Sequence, residues 1–372
     1  MEYPPHLSQE KPDKLLKERL YLDHAATTPM LPEARDAVAA GFADWANPSS
    51  PHSEGRAARA ALEGARKRVA DALDWDGELV FTSGASEAIA LALSCAKAER
   101  MIVSAVEHDA VLRAGGDVER IPVDASGRVD GGKLNWMLSG AEEQALVAIQ
   151  SVNSETGVTQ DLDDLRGRIH VGGNWLFADC SQSAGKLPLP DADLIAISAH
   201  KLGGPPGIGA LLVKDFATLH ALGGQERGYR PGTENLPAAL GFAAALEAPS
   251  GWVSRAAELR EHLDKAIEQE GGSVVAADAD RIPTIASYRM PGIAANAQLI
   301  QFDMAGIAVS AGSACSSGSL KPSHVLTAMG WSESEAAEVI RVSFGPQTGR
   351  ADIYRFMDVW KRLAAEGKGR AA

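Results

Sequence analysis

The residues of this chain best placed to do chemistry sit just beyond short apolar runs. In "LIAISAHKLGGPPG" the run ends on Ser198, His200 and Lys201, followed by Gly203, Gly204 and two prolines that set a rigid turn. In "LFADCSQ" it ends on Asp179, with Gln182 close behind. An amine and an acid facing one crevice suit an aldehyde cofactor. The lysine can form a Schiff base while the carboxylate keeps a pyridine nitrogen protonated, the pairing expected for pyridoxal 5'-phosphate (PLP). Upstream, "VFTSGASEA" reads as strand, Ser/Gly turn and helix start, which aims free amides and a positive helix end at a spot suited to phosphate. His108, just past "MIVSA", can stack on a ring and carry a proton near neutral pH. Singly, each has a commoner role: a surface lysine, a capping aspartate, an ordinary turn, a structural histidine. Together they point to one site.

The chain has 3 cysteines. Cys95, inside "IALALSCA", reads as a small buried hydrophobe. Cys315 does not, because in "SAGSACSSGS" its neighbours offer almost no apolar cover. An accessible thiol is the reactive kind, although at its ordinary pKa of about 8.5 it needs local help to become a thiolate. No CxxC pair and no histidine at ligand spacing accompanies these cysteines, so neither a disulfide framework nor a metal site is predicted. A reducing cytoplasm suits the pattern best.

The elements that must position these residues follow from the apolar pattern. The runs "ELVFTS", "RMIVSA", "ALVAIQSV", "WLFADC", "DLIAISA" and "GALLVK" predict strands. They alternate with Ala-rich helical stretches such as Glu54 to Leu73 and Ser86 to Ala98, the signature of a parallel sheet wrapped by helices. Ligands of such sheets lie beyond the carboxyl ends of the strands, where the residues above fall. After "EAPSGW" the texture changes to a charged helix, strands "TIASYRM" and "IRVSF", a Ser332/Glu335 capping box and a final amphipathic helix. The predicted organisation is residues 1–27 packing with a smaller unit, 28–250 as a large doubly wound domain, and 251–372 as a smaller α+β domain. A net charge of −13 without a basic patch argues against nucleic acid and anionic membranes as partners. The longest apolar runs are far shorter than the ~20 residues of a membrane span, and the charged, proline-broken start has no signal-peptide core.

From "YLDHAATTP" at Tyr21 to "IRVSFG" at Ile340 the chain resembles the cysteine desulfurases, class V aminotransferase-like enzymes of PLP fold type I. The resemblance rests on an ordered series: "NPSSPHSEGR", "VFTSGASEA", "EHDAVL", "VNSETGV", "DCSQSAGK", "SAHKLGGPPGIGAL", "GGQERGYRPGTEN" and "SAGSACSSGSLKPSHVLTAMG". It implies that Lys201 is the PLP lysine, that Asp179 pairs with the pyridine nitrogen, that Gln182 approaches the phenolic oxygen and that His108 stacks on the ring. Ala85, Ser86, Ser198 and His200 would hold the phosphate, with Thr233 reaching the PLP of the partner subunit in a homodimer. Arg341 would bind the substrate carboxylate and Asn47 would line the mouth. Cys315 would take the sulfur of L-cysteine as a persulfide, leaving alanine, and pass it to a scaffold or sulfur-carrier protein for iron–sulfur assembly or other thiolation. Where the family usually has two asparagines before "ETG", this chain has Asn153-Ser154, so the contact to the phenolic oxygen would be weakened, bridged by water or taken over by Asn153. Two other readings stand beside this one. One is a class V aminotransferase or a selenocysteine lyase, against which Cys315 counts because transamination needs no such thiol; the other is a non-catalytic sulfur-relay or scaffold protein, against which Lys201, Asp179 and His108 together count.

Overall fold

The computed structural model describes residues 19–43, 45–115, 118–312 and 323–371. Cys315 lies outside the described residues.

The six predicted strands of the first part all form, together with short ones that the apolar pattern had not announced. In chain order the strands are β1 (Leu20–Tyr21), β2 (Glu78–Thr82), β3 (Arg100–Ser104), β4 (Glu119–Ile121), β5 (Ala145–Gln150), β6 (Trp175–Asp179), β7 (Leu194–Ser198), β8 (Gly209–Val213), β9 (Ser273–Val274), β10 (Ile285–Arg289), β11 (Ile307–Ala308) and β12 (Val339–Ser343). The central sheet has seven strands in the order β2-β8-β7-β6-β5-β3-β4. Within it, β8 alone runs against its neighbours.

Helices cover both faces of that sheet, and this is why its strands read as continuous apolar runs. Leu79 and Phe81 of β2 and Val147 and Ile149 of β5 point into a core with the helices Ser53–Ala72, Leu162–His170 and Leu236–Glu247. The alternate residues Val80, Leu146 and Ala148 point into a second layer with Ala85–Cys95 and Asp109–Gly115. Cys95 is buried there, as its helix-borne position predicts.

A separate core is built on β10, which pairs antiparallel with both β12 and β9. It is closed by the helices Trp252–Gln269 and Arg350–Ala371, with Phe302 and Phe356 stacked at 4.7 Å and Trp360 fully buried. Leu20 and Leu22 belong to this core, and β1 pairs in parallel with β11. We propose from these separate cores a boundary near residue 250, with the described N-terminal residues carried by the second unit. Among the described residues no helix is long and apolar enough to cross a membrane.

Two backbone bridges within the second unit stand at one place, whereas Val158 bridges to Arg281 across the two units. The Asp23 backbone bridges to Ser343 at the end of β12, and Ser310 pairs with Arg341. Both bring residues of the second core to the carboxyl ends of the central strands.

Candidate active site

Five parallel strands of the central sheet release their chains at the same edge, and the chemically equipped residues follow. Ser83 to Ser86 succeed β2, His108 lies four residues after β3, Ser154 four after β5, Asp179 ends β6, and Ser198 to Lys201 end β7. They meet on a cavity of about 860 Å³, within the range of small-molecule and cofactor sites. Its wall includes Ala85, Ser86, His108, Ser154, Asp179, Ser198, His200, Lys201 and Arg341.

The turn after β2 owes its position to glycine. In the sheet Gly209 of β8 lies between Thr82 and Ser198. A Cβ there would stand 2.5 Å from the Ile197 carbonyl oxygen and 2.8 Å from Gly84 Cα, so only glycine lets the turn fold down over the strand ends. Gly84 itself takes φ 153°, ψ 178°, a conformation essentially reserved to glycine. The helix Ala85–Cys95 that follows has no side-chain cap at Gly84, which leaves first-turn amides at the cavity wall for an anion.

At the other end of the cavity Asp179 is held rather than free. Its Oδ1 accepts the Ser181 amide at 2.9 Å and the Ser181 hydroxyl at 2.5 Å, and the side chain is buried. Lys201 sits in a single 3-10 turn braced by Leu202 and Gly204 amides that donate to the Ala199 carbonyl. His108 Nδ1 accepts the Ala110 amide at 3.1 Å, which puts the ring proton on Nε2. Burial, then the Lys201 charge, lowers the His108 pKa, so the ring is neutral at physiological pH. His200 is lowered by the same two causes in the same order. A phosphate cup, a fixed carboxylate, an amine and a neutral imidazole around one cavity fit a pyridoxal phosphate.

Several predicted residues are placed elsewhere. Asn153 does not reach the cavity wall. Its Oδ1 accepts from the Glu155 and Thr156 amides at 2.9 Å and its Nδ2 donates to the Val106 carbonyl at 3.1 Å, so it builds the turn and is not available to replace the missing second asparagine. Gln182 is buried behind the wall, where its Nε2 donates to the Ala25 carbonyl at 2.8 Å and its Oε1 has no partner among the described residues. Asn47 is exposed and turned onto its own loop, Oδ1 accepting the Ser49 amide at 2.8 Å. Thr233 is exposed, outside this chain's cavity. Its loop is anchored upstream by Glu226, whose carboxylate takes Arg66 at 2.7 and 3.0 Å and the Phe81 amide of edge strand β2 at 2.8 Å. Arg230 of the same loop donates to Glu87 beside the phosphate turn at 3.0 Å.

The cavity also holds acids that the sequence reading passed over, Asp23, Glu107 and Glu155. Position is the signal that points to them: Glu107 and Glu155 stand next to His108 and Ser154, and Asp23 stands just ahead of a turn. Asp23 Oδ1 accepts Arg341 Nη2 at 2.8 Å, and Arg341 Nη1 donates to the Ser154 carbonyl at 2.9 Å. The Lys186 amine donates to the Gln182 carbonyl at 3.2 Å, and burial with the nearby Lys201 charge lowers it to about 7.

Glu107 is fully buried; its Oε1 accepts the Gln150 amide at 2.8 Å and its Oε2 lacks a partner among the described residues. Burial first, then the charge of Asp179, raises its pKa well above the carboxylate range. The native state therefore holds a proton that the unfolded chain gives up near pH 4.3. That contribution is complete below the unfolded value and is lost as pH rises toward the native one. Glu107→Gln has no such proton to lose. Its denaturant stability relative to the parent is expected to rise with pH above the carboxylate range, by up to about 1.4 kcal/mol per pH unit. Urea midpoints at a series of pH values read this, and a pH-independent difference would refute a protonated Glu107.

Comparison with known proteins places these features in context. The aminotransferase class-V family profile matches residues 20–356. A cysteine desulfurase of Cereibacter sphaeroides is 36% identical over 368 residues, covering 92% of this chain and 95% of that protein. Among solved structures, a NifS-like protein from Rickettsia africae superposes with TM-score 0.85 at 29% identity, covering 93% of this chain and 99% of that one. SspA in complex with cysteine superposes with TM-score 0.77 at 31% identity, covering 89% of this chain and all of that one, 100%.

Proposed function

This chain belongs to the aminotransferase class-V family and, within it, to the cysteine desulfurases of PLP fold type I; from that premise we propose how its own residues convert L-cysteine to alanine with transfer of sulfur to Cys315. The observation that carries the proposal is the convergence of Lys201, Asp179, His108 and the uncapped Gly84–Ser86 turn on one cavity.

Ala85 and Ser86 amides, with Ser198 and His200, would hold the phosphate of PLP, and Thr233 of a second subunit would complete the cup in a homodimer. When bound, the cofactor supplies the electron sink for bonds broken at the substrate α-carbon. Asp179, fixed by Ser181, presents its charge at the end of β6 without having to reorganise. Arg341 binds the substrate carboxylate. Its guanidinium is held by Asp23 and the Ser154 carbonyl, and its buried Nε has no partner among the described residues. Lys201, which would hold the cofactor through Nζ, would move the proton at the substrate α-carbon through the same atom once freed. His108 holds its proton on Nε2 and so can donate it or accept one only after donating.

The sulfur step balances with the groups named. The Cys315 thiolate attacks the substrate sulfur, forming an S–S bond as the substrate Cβ–S bond breaks. The electron pair of the broken bond goes to Cβ, which takes a proton, so L-cysteine and a thiol become alanine and a persulfide. A scaffold or sulfur-carrier protein is the partner class for the outgoing sulfur.

Anaerobic incubation of the yellow holoenzyme with L-cysteine tests this. Alanine is expected in one-to-one ratio with sulfur, part of it recovered by mass spectrometry as persulfide on the Cys315 peptide. Protein that stays colourless with added PLP and makes no alanine would instead support the non-catalytic relay reading.

A further inference from the structure

The Glu155 carboxyl does something that neither cofactor nor substrate binding requires. Ser323 Oγ donates to its Oε2 at 2.5 Å, and the same hydroxyl caps the helix His324–Ala328 by accepting the Leu326 amide at 3.1 Å. Gly312 lies against the same oxygen so closely that a Cβ there would stand 2.2 Å from Oε2 and 3.2 Å from Ser323 Cβ. Residues 312 and 323 are thus side by side on one buried carboxyl, and the stretch between them carries Cys315.

Both ends have further ties to the site. Ser310 exchanges backbone bonds with Arg341, at 2.6 and 3.2 Å. His324 Nε2 donates to the Glu107 carbonyl at 2.9 Å. Glu155 also ties its own backbone to β10, its carbonyl accepting Ser287 Oγ at 2.8 Å. The Glu155 side chain accepts from Ser323 at one end and stands close against Gly312 at the other.

We propose that Glu155 is a positioning residue for the sulfur-transfer step, its carboxyl clasping Gly312 and Ser323 so that the Cys315-bearing stretch starts and ends at the cavity wall. The proposal rests on the reading of Cys315 as sulfur acceptor. The physical reason is the volume a tethered thiol explores. Joining the ends of a stretch narrows its reach, and the local concentration of the thiol at the substrate rises accordingly. Burial, the largest influence on Glu155, raises its pKa. A neutral amide should therefore serve in its place, since the clasp needs an acceptor oxygen of the right length and not a charge.

In the holoenzyme, Glu155→Ala is expected to slow single-turnover persulfide formation on Cys315 by about tenfold or more, while Glu155→Gln restores it to within about threefold of the parent. The preceding step, the absorbance change as L-cysteine displaces Lys201, should stay within about twofold in both. Gly312→Ala and Ser323→Ala attack the clasp from its other sides without touching Glu155 and should slow the same step. They also serve if Glu155→Ala fails to fold. Equal persulfide rates in the parent and in these variants overturn the proposal. So does equal slowing of both steps, which would assign Glu155 to substrate binding. Alkylation of Cys315 by iodoacetamide in the resting holoenzyme separates this idea from the reading beneath it. Loosening the clasp should raise the alkylation rate by about threefold or more, with Gln restoring it. If Cys315→Ser makes alanine at the parent rate, the acceptor reading fails; unchanged alkylation in Glu155→Ala and Ser323→Ala sinks the clasp whatever the acceptor.

Discussion

Lys201→Ala is expected to purify colourless and to form alanine from L-cysteine at least about 10³-fold more slowly than the parent. On the proposed reading the amine has two duties, covalent attachment of the cofactor and proton transfer at the substrate α-carbon, and neither His108 nor Lys186 is placed to assume them. His108 is a neutral ring whose Nδ1 is occupied by the Ala110 amide. Lys186, although lowered to about 7 and hence partly unprotonated, is turned to the Gln182 carbonyl and does not line the cavity. The fold should survive, because the turn that bears Lys201 is held by backbone bonds from Leu202 and Gly204 to Ala199 and from Thr28 to His200. Absorbance, alanine assay and urea midpoint together check this. A yellow, active Lys201→Ala protein would remove the lysine from the mechanism, and a lysine-to-arginine variant that retains charge but not activity would show that charge alone does not suffice.

Cys315→Ser should lose persulfide entirely and slow alanine formation by at least about 10²-fold, the penalty for replacing a tethered nucleophile with thiols from solution. A hydroxyl does not stand in for a thiolate here, and neither do the other cysteines. Cys95 is buried in the helix Ala85–Cys95, away from the cavity. Cys180 is fully buried beside Asp179, and burial pushes its thiol up to about 12, so it carries essentially no thiolate at neutral pH. Mass spectrometry of all three cysteine peptides after L-cysteine treatment is the decisive measurement. Persulfide on Cys95 or Cys180, or alanine at the parent rate in Cys315→Ser, would place the acceptor elsewhere.

Much of the site was legible because strand ends are legible. An apolar run that stops on Asp179 or on Ser198, His200 and Lys201 identifies both the strand and the residue it presents, and the parallel sheet brings such ends to one edge. The short strands β1, β9 and β11 were not legible. Each has two residues, too few to show an alternation; β9 forms on the edge of the longer β10, while β1 and β11 pair with each other. Asn153 and Gln182 were placed at the cofactor by resemblance, yet their side chains are spent on the Glu155–Thr156 turn and on the Ala25 carbonyl. Choosing among several backbone partners within reach is a decision of packing, and no spacing in the chain encodes it.

By itself, then, the sequence determined the class of chemistry, through residue types that only a few reactions need in that order, and the layered α/β frame, through the period of its apolar residues. The tertiary structure alone decided the electrostatics. Glu107 and Glu155 look like any other glutamates in the chain until burial strips their water and raises their pKa, and until folding sets Ser323 and Gly312 against one of them. Desolvation depends on every neighbour at once, brought together from distant positions such as 107, 155, 312 and 323, and that sum exists only after folding.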